Sequence, residues 1–194
     1  MKKQFFQTLK NLQPWQKLAF VVGFTGIVMM SASPVLARYR LAYRLFQPYA
    51  GASVPYRGTD NLIDALSKEK KFSNLVYELK EAGLLEKLKQ EKDFTIFAPT
   101  DAAFNALSRE TFNRYRQPEN RSRILNYHIV VGNVTEDDMN KGGKTTSEGS
   151  AVKIQVNPAD ESVKINGANT KYPSIQTKNG VIIEVDQVLT PPGF

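Results

Sequence analysis

The sequence predicts an α+β domain that follows an N-terminal hydrophobic helix. Three observations support this fold class. Segments with capping residues and apolar residues at helical spacing run from Thr59 to about residue 140. Beyond Gly142, short alternating stretches separated by turn residues are typical of strands. Ahead of both lies an uncharged stretch from Leu18 to Ala37. A chain of 194 residues has room for one such domain and an appendage.

Residues 1–37 have the form of an export signal. They carry four lysines and no acidic residue, and "SASPVLA" places Val35 and Ala37 where a signal peptidase reads, so that cleavage would leave Arg38 first. Cleavage is favoured because the apolar part is short. A retained signal anchor stays open, since the uncharged residues 18–37 can just span a bilayer. Either way the remainder is predicted to be extracytoplasmic: secreted or periplasmic after cleavage, otherwise membrane-anchored.

Residues 38–58 form a basic, aromatic linker with four arginines and no acid. Two interpretations remain equal: contact with anionic lipid headgroups, or a solvated linker. From Thr59 onward the charge is nearly balanced. The basic excess therefore belongs to the first 58 residues, and no nucleic-acid-binding face is predicted.

Helices dominate the first part of the predicted domain, residues 59–194. Thr59 or Asp60 is predicted to cap a short helix through "NLIDALSKE". Ser73 is predicted to cap a second helix, with Phe72 and Tyr77 spaced as a hydrophobic staple. Gly83 stands where a helix ends in a left-handed residue, and "LLEKLKQ" adds another short helix.

The stretch "TIFAPTDAAFNAL" marks a junction between a strand and a helix. "FTIFA" is rich in strand formers, and Pro99 ends the strand because it has no N–H for the ladder. Thr100 is predicted to cap the next helix, with Asp101 in its first turn, where a negative charge meets the positive helix end.

Further capping signals and strands complete the domain. Ser108 is predicted to cap a helical turn, Pro118 suits a first helical position, and Thr135 with Asp138 is spaced as a capping box. "YHIVVG" is strand-like and ends at a Gly-Asn turn. Four further strands are predicted within "AVKIQV", "SVKING", "TKYPSIQT" and "GVIIEVDQVL".

Three ordered motifs resemble those of the fasciclin (FAS1) domain: "FTIFAPTDAAFNAL", "ILNYHIVVGNVT" and "NGVIIEVDQVLTPP". The resemblance covers about Thr59 to Pro192. It implies a wedge of β-sheet with several short helices at one side, in an extracellular or periplasmic module for adhesion and protein interaction, often membrane-tethered and without catalysis. The positions of the two boxes in this sequence are Thr95, Phe97, Ala98, Pro99, Thr100, Asp101, Phe104, Asn179, Gly180, Val181 and Asp186.

The resemblance also indicates candidate binding residues. The Tyr-His pair of the family is linked to receptor binding in some animal members and to core hydrogen bonding in many. For His128 we favour the structural role. An Asp-Ile pair of some animal members contacts integrins, but Ser174 stands here where the acid would be. The candidates are Asp101, Tyr127, His128, Tyr172 and Ile175.

The sequence departs from the family pattern in the second box and suggests one further cluster. Ile183 occupies a place usually held by His, and Glu184 a place that is usually apolar. We also consider the hypothesis that Thr95, Asp101 and His128 form one polar cluster that joins the two boxes.

The residue inventory argues against an enzyme, a metal site and a cofactor. With no cysteine and one histidine, thiol catalysis and His-rich zinc sites are excluded, and no phosphate or dinucleotide motif is present. The leading function is an exported interaction or adhesion module that binds protein or polysaccharide. The alternative is a carrier of an apolar ligand, a carotenoid or lipid, as in some fasciclin-like relatives. Its groove would be lined by Phe94, Phe97, Phe104, Tyr127 and Tyr172.

Overall fold

The computed structural model describes residues 60–90, 93–157, 159–160 and 162–194. The export signal or anchor predicted for residues 1–37, with its hydrophobic helix, and the linker predicted for residues 38–58 lie outside the described residues. Within the described ranges, no helix is both long enough and apolar enough to cross a membrane.

Seven short α-helices and one 3-10 turn, Lys70–Phe72, occur in the described part of the chain. Most of them precede the long run of strands, as the sequence predicts. The helices are α1 Leu62–Lys68, α2 Ser73–Glu81, α3 Leu85–Gln90, α4 Asp101–Asn105, α5 Arg109–Tyr115, α6 Pro118–Tyr127 and α7 Glu136–Asn140.

Most of the predicted helix signals are confirmed. The side chains of Thr100, Ser108 and Thr135 each accept a hydrogen bond from a backbone N–H in the first turn of α4, α5 and α7. Pro118 occupies the start of α6, and Gly83 follows α2 with a φ of 70°. The local chemistry of helix ends is therefore legible in this sequence.

Two of the predicted caps are wrong. Asn61 caps α1, instead of the predicted Thr59 or Asp60, and its Oδ1 accepts from Asp64 N at 2.9 Å. Ser73 is itself helical because the 3-10 turn leads directly into α2, so the N-cap is Phe72, which offers no side-chain acceptor. The predicted staple does not form either, since Phe72 is buried whereas Tyr77 is 58% exposed.

Seven strands of the described chain form one sheet in the order β2-β1-β7-β6-β5-β4-β3. Only β1 and β7 pair in parallel; the other neighbours are antiparallel. The strand predicted from "YHIVVG" begins later than expected, because Tyr127 ends α6 and His128 is its C-cap. The strands are β1 Phe94–Pro99, β2 Ile129–Val131, β3 Gly143–Thr145, β4 Ala151–Val156, β5 Val163–Ile165, β6 Ala168–Thr177 and β7 Gly180–Val185.

The two faces of the sheet bury two separate cores. Along β1, Phe94 and Ile96 pack with helices α1 to α3 in a helix-side core, whereas Phe97 belongs to a strand-side core with residues of β4, β5 and β7. Because β1 and β7 are covered on both faces, their sequences are nearly continuous apolar runs. This α+β wedge confirms the predicted fold class, and its strand-side face carries the candidate site.

Candidate functional site

Tyr127 is a buried anchor for the turn between β5 and β6. Its hydroxyl donates to Ala151 O at 3.0 Å and accepts from Asn166 Nδ2 at 2.6 Å. Asn166 in turn accepts from Lys153 N at 2.7 Å. Asn166 has a φ of 50° and Gly167 one of 91°, as a tight hairpin turn requires. Tyr127 therefore ties α6, β4 and the β5–β6 turn together.

His128 is a buried anchor for the C-terminal segment. Its Nε2 accepts from Leu189 N at 2.9 Å, so the proton is on Nδ1, which donates to Ile124 O at 2.8 Å. Burial lowers the pKa of His128 to about 4, and the ring is neutral near pH 7. Nδ1 thus fixes the ring to α6, and Nε2 joins it to the segment that follows β7.

The two elements that Tyr127 and His128 hold are the walls of one surface groove. It has a volume of about 470 Å³ and lies between the β5–β6 turn and residues 187–190, with β4 below. We call it the Tyr-His groove. Its polar lining side chains are Lys153, Gln155, Asn166, Gln187 and Thr190. The buried pair therefore reaches the surface only through the residues that it positions.

Asp101 joins the N-termini of two helices. Its hydrogen-bond partners, Ser73 and Asn74, are not those of the Tyr-His pair. It stands in the first turn of α4 as predicted. Its carboxylate also accepts from Ser73 Oγ at 2.5 Å and from Asn74 N at 2.8 Å. Because α2 has no side-chain cap of its own, Asp101 supplies one from a distant part of the chain.

The predicted cluster of Thr95, Asp101 and His128 does not form. Thr95 Oγ1 donates to Gly132 O at 3.0 Å, and the other two side chains bind the separate partners given above. Each residue secures its own joint of the fold, so the hypothesis of one shared polar network is wrong.

Tyr172 and Ile175 lie on β6, where the pairing with β7 shifts register between Lys171 and Ile175. Tyr172 is 44% exposed, and Ile175 packs against the helix-side core. Neither residue lines the Tyr-His groove. The structure therefore brings Tyr127 and His128 together and leaves the other three candidates elsewhere.

The five aromatic residues considered for an apolar ligand do not line one groove. Phe94 is buried in the helix-side core, and Phe97 and Tyr127 are buried in the strand-side core. Phe104 packs edge-on against Tyr115 with ring centroids 6.1 Å apart. The buried aromatics fill the two cores on opposite faces of the sheet.

Asn179 and Asp186, from the second box, form hydrogen bonds with residues that are distant in the sequence. The buried amide of Asn179 accepts from Leu62 N and donates to Leu88 O, both at 2.7 Å, which joins α1 and α3 to the start of β7. Asp186 accepts from the backbone N and the Nδ2 of Asn169 at 2.8 and 2.6 Å. A Cβ on Gly180 would collide with Phe94 O, so this position needs glycine.

A family model for the fasciclin domain matches residues 70–191. The chain belongs to the fasciclin domain family. It is 36% identical to protein sll1483 of Synechocystis sp. over 73% of this chain and 81% of that protein. It is 32% identical to human periostin over 68% of this chain and 16% of periostin. The fasciclin domain here thus spans most of the first relative and a small part of the second.

The fold is shared with a solved FAS1 domain pair of the insect cell adhesion molecule fasciclin I. The TM-score is 0.50 at 18% sequence identity, and the match covers 65% of this chain and 47% of the insect chain. At that level of identity the similarity shows a common fold and does not extend to the contacts of individual residues.

The two departures of this fasciclin domain from the family pattern are accommodated in the sheet. Ile183 is buried in the strand-side core. The carboxylate of Glu184 pairs with Lys71 Nζ at 2.9 Å, and the hydrogen bond and charge of Glu184 raise the pKa of Lys71. A cation from the 3-10 turn therefore compensates an acid in a central strand.

Sequence reasoning missed the groove residues themselves. The dipeptide Asn166-Gly167 is a turn signal, but nothing local shows that the Asn166 side chain reaches Tyr127, 39 positions earlier. Likewise, Leu189 is an ordinary apolar residue in the sequence, and only the fold places its N–H against His128.

Proposed function

We propose that this fasciclin domain is an exported, non-catalytic interaction module that binds a protein or polysaccharide partner at a cell surface through the Tyr-His groove. The observation that carries the proposal is the arrangement of the walls. The buried side chains of Tyr127 and His128 use their polar atoms to hold the two segments that carry the exposed polar residues of the groove. This fixed spacing is a form of pre-organisation, which favours binding. The shared fold with an insect cell adhesion molecule supports the same class of function.

A binding role fits the groove chemistry better than a catalytic one. The ring of His128 has no free nitrogen to act as a base, and burial keeps it neutral. In the ranges that the structure describes, no group of three or more His, Cys, Asp or Glu side chains is placed to hold a metal ion. Three of the five aromatic residues of the carrier alternative, Phe94, Phe97 and Tyr127, are buried in the cores, so we do not favour that function.

Attachment is proposed to come from the N-terminal segment. Residues 18–37 would either be removed with the export signal or hold the domain at a membrane. The intact mass of the protein from its native host, measured in soluble and membrane fractions, tests this step. A soluble species that begins at Arg38 supports secretion, and a full-length membrane species supports the anchor.

The groove is tested by filling it in living cells. Cells that lack the gene are complemented with wild-type protein or with Thr190→Trp, which places a large ring in the groove from an exposed position. Asn113→Trp, at an exposed position of α5, is the matched control. We expect wild type and the control to restore adhesion, and Thr190→Trp to fail while its export and unfolding temperature stay normal. Unchanged adhesion in the deletion strain would refute the proposed function.

A further inference from the structure

The surface around the Tyr-His groove continues into a second groove along β4 and β5. The second groove has a volume of about 500 Å³ and shares Gln155 with the first. Because they share Gln155, we describe them together as one elongated trough on the exposed face of β4, β5 and β6. An elongated trough suits an extended polymer better than a compact small molecule.

The floor of the trough alternates lysines with amides. Gln155 pairs with Lys164, and Lys164 pairs with Asn169, so the three side chains form a row across three strands. Lys153 lies two residues before Gln155 and hence on the same face of β4. Neighbouring side chains in such a row stand about 5 Å apart, and diagonal ones about 7 Å.

The described lining of this trough carries two lysines, Lys153 and Lys164, and one carboxylate, Asp160. Within the described residues, neither Lys153 nor Lys164 has a carboxylate within 4.0 Å. Asp160 accepts from Ser162 N at 3.0 Å and keeps its negative charge, which also acts on Lys164. The first groove is lined by Lys153 and by no acid, and two lysines against one carboxylate leave the described lining with a positive balance that favours an anionic partner.

The trough lacks the side chains on which protein partners usually depend. In the described chain, the large exposed hydrophobic residues are Tyr77, Phe112, Val131 and Tyr172, and none of them lines either groove. Protein interfaces concentrate their binding energy in buried aromatic and Arg anchors. A lining of amides, hydroxyls and lysines instead matches the hydroxyl groups and spaced carboxylates of an acidic sugar polymer.

We propose that the trough binds an acidic polysaccharide, with its carboxylates on Lys153 and Lys164 and its hydroxyls on the amides of Gln155 and Gln187. This inference rests on the proposed function, because it names the partner class of the same groove. Tyr127 and His128 are then positioning residues: they fix the Asn166 turn and the 187–190 wall and do not touch the sugar.

The test measures binding of tetragalacturonate to the full chain in detergent micelles by calorimetry at physiological salt. The double variant Lys153→Ala/Lys164→Ala is compared with Lys80→Ala/Lys87→Ala, which removes the same charge from exposed positions of α2 and α3. We expect the first pair to weaken binding about tenfold and the second pair to leave it unchanged. The basic residues 1–58 are the same in all variants, so the difference reports the trough.

Two further probes complete the design. Gln155→Ala keeps the charge and is expected to weaken tetragalacturonate binding about threefold through the lost hydroxyl contact. A neutral maltotetraose is expected to bind at least about tenfold more weakly than tetragalacturonate. Circular dichroism verifies that each variant is folded.

Equal losses in the two lysine pairs would mean non-specific ion exchange and would overturn the inference. No binding by the wild type would overturn it as well. If Thr190→Trp still abolished adhesion in cells, the partner of the groove would be a protein and the proposed function would survive. If adhesion did not depend on the groove, the proposed function itself would fail.

Discussion

The two cores of this fasciclin domain are secured by different chemistry. The helix-side core contains apolar side chains from α1 to α3 packed on β1 and β7, and the buried amide of Asn179 hydrogen-bonds to two of those helices. The strand-side core includes Tyr127, and the neighbouring His128 and Tyr127 direct their polar atoms to segments at the surface. The polar contacts of the helix-side core stabilise the fold alone, whereas those of the strand-side core also position the walls of the Tyr-His groove.

The largest expected effect on this comparison comes from Asn179→Ala on the helix side. The substitution leaves Leu62 N and Leu88 O without their side-chain partner in a buried place, so we expect the free energy of unfolding to fall by about 3 kcal/mol. Urea denaturation measures the loss. The exposed neighbour Lys178→Ala is the control and is expected to change stability by less than about 0.5 kcal/mol. A loss below 1 kcal/mol in Asn179→Ala would contradict the role of this amide as a pin.

An effect of similar size is expected from acid on the strand side. His128 is neutral in the folded state with a pKa of about 4, whereas a histidine in the unfolded chain titrates near 6.5. Between these values the unfolded state binds more protons, so the stability that is fully present above about pH 6.5 falls as the pH drops to 4. The expected total is about 3 kcal/mol, measured by urea denaturation at several pH values.

The pH dependence above about pH 5 is assigned to one group, His128. His128 is the only histidine of the chain, whereas Asp138, Glu148 and Asp160 have a lowered pKa in the folded state and lose their share of the stability only below about pH 5, where the unfolded carboxyls begin to protonate. His128→Gln removes the titrating ring, so its stability, although lower, is expected to change little between pH 6.5 and about 5. A slope as steep as that of the wild type would show that other groups cause the acid sensitivity.

The sequence predicts those parts of the fold that depend on neighbouring residues. Thr100, Ser108 and the Thr135-Asp138 box act within one helical turn, where the capping chemistry is local. The prediction failed at Ser73, because the 3-10 turn and the distant Asp101 together replace a local cap there. Local patterns cannot show a partner that lies 27 positions away.

The candidate site was less predictable for the same physical reason. Tyr127 and His128 were recognisable only through the family resemblance, and their contacts with Asn166 and Leu189 span 39 and 61 positions. The alternation of Lys153 and Gln155 in "AVKIQV" indicates an exposed face of a strand. It does not indicate that Lys164 and Asn169 complete the row, because strand register is a property of the assembled sheet.

A smaller effect that separates stability from positioning is expected from Tyr127→Phe. The ring still fills the strand-side core, but the hydrogen bonds to Ala151 O and Asn166 Nδ2 are lost, so we expect a loss of about 1 kcal/mol in the free energy of unfolding. If the hydroxyl positions the groove, adhesion should fall although the protein is folded at the assay temperature. Tyr115→Phe, on α5 away from the groove, is the control for removal of a buried hydroxyl. Normal adhesion in Tyr127→Phe would confine the hydroxyl to a structural role.

The smallest expected effect tests how Asp101 contributes to the helix side. If its carboxylate only caps α2, Asp101→Ala should lower the free energy of unfolding by about 1 kcal/mol, because the lost partners are a hydroxyl and one N–H at a partly exposed helix end. Asp101→Asn keeps an acceptor and should recover most of that loss. The exposed Asn105→Ala in the same helix serves as the control. A loss above about 2 kcal/mol that Asp101→Asn does not recover would mean that Asp101 belongs to a buried charged network. The helix side would then depend on more than helix capping and apolar packing, and its contrast with the strand side would no longer hold.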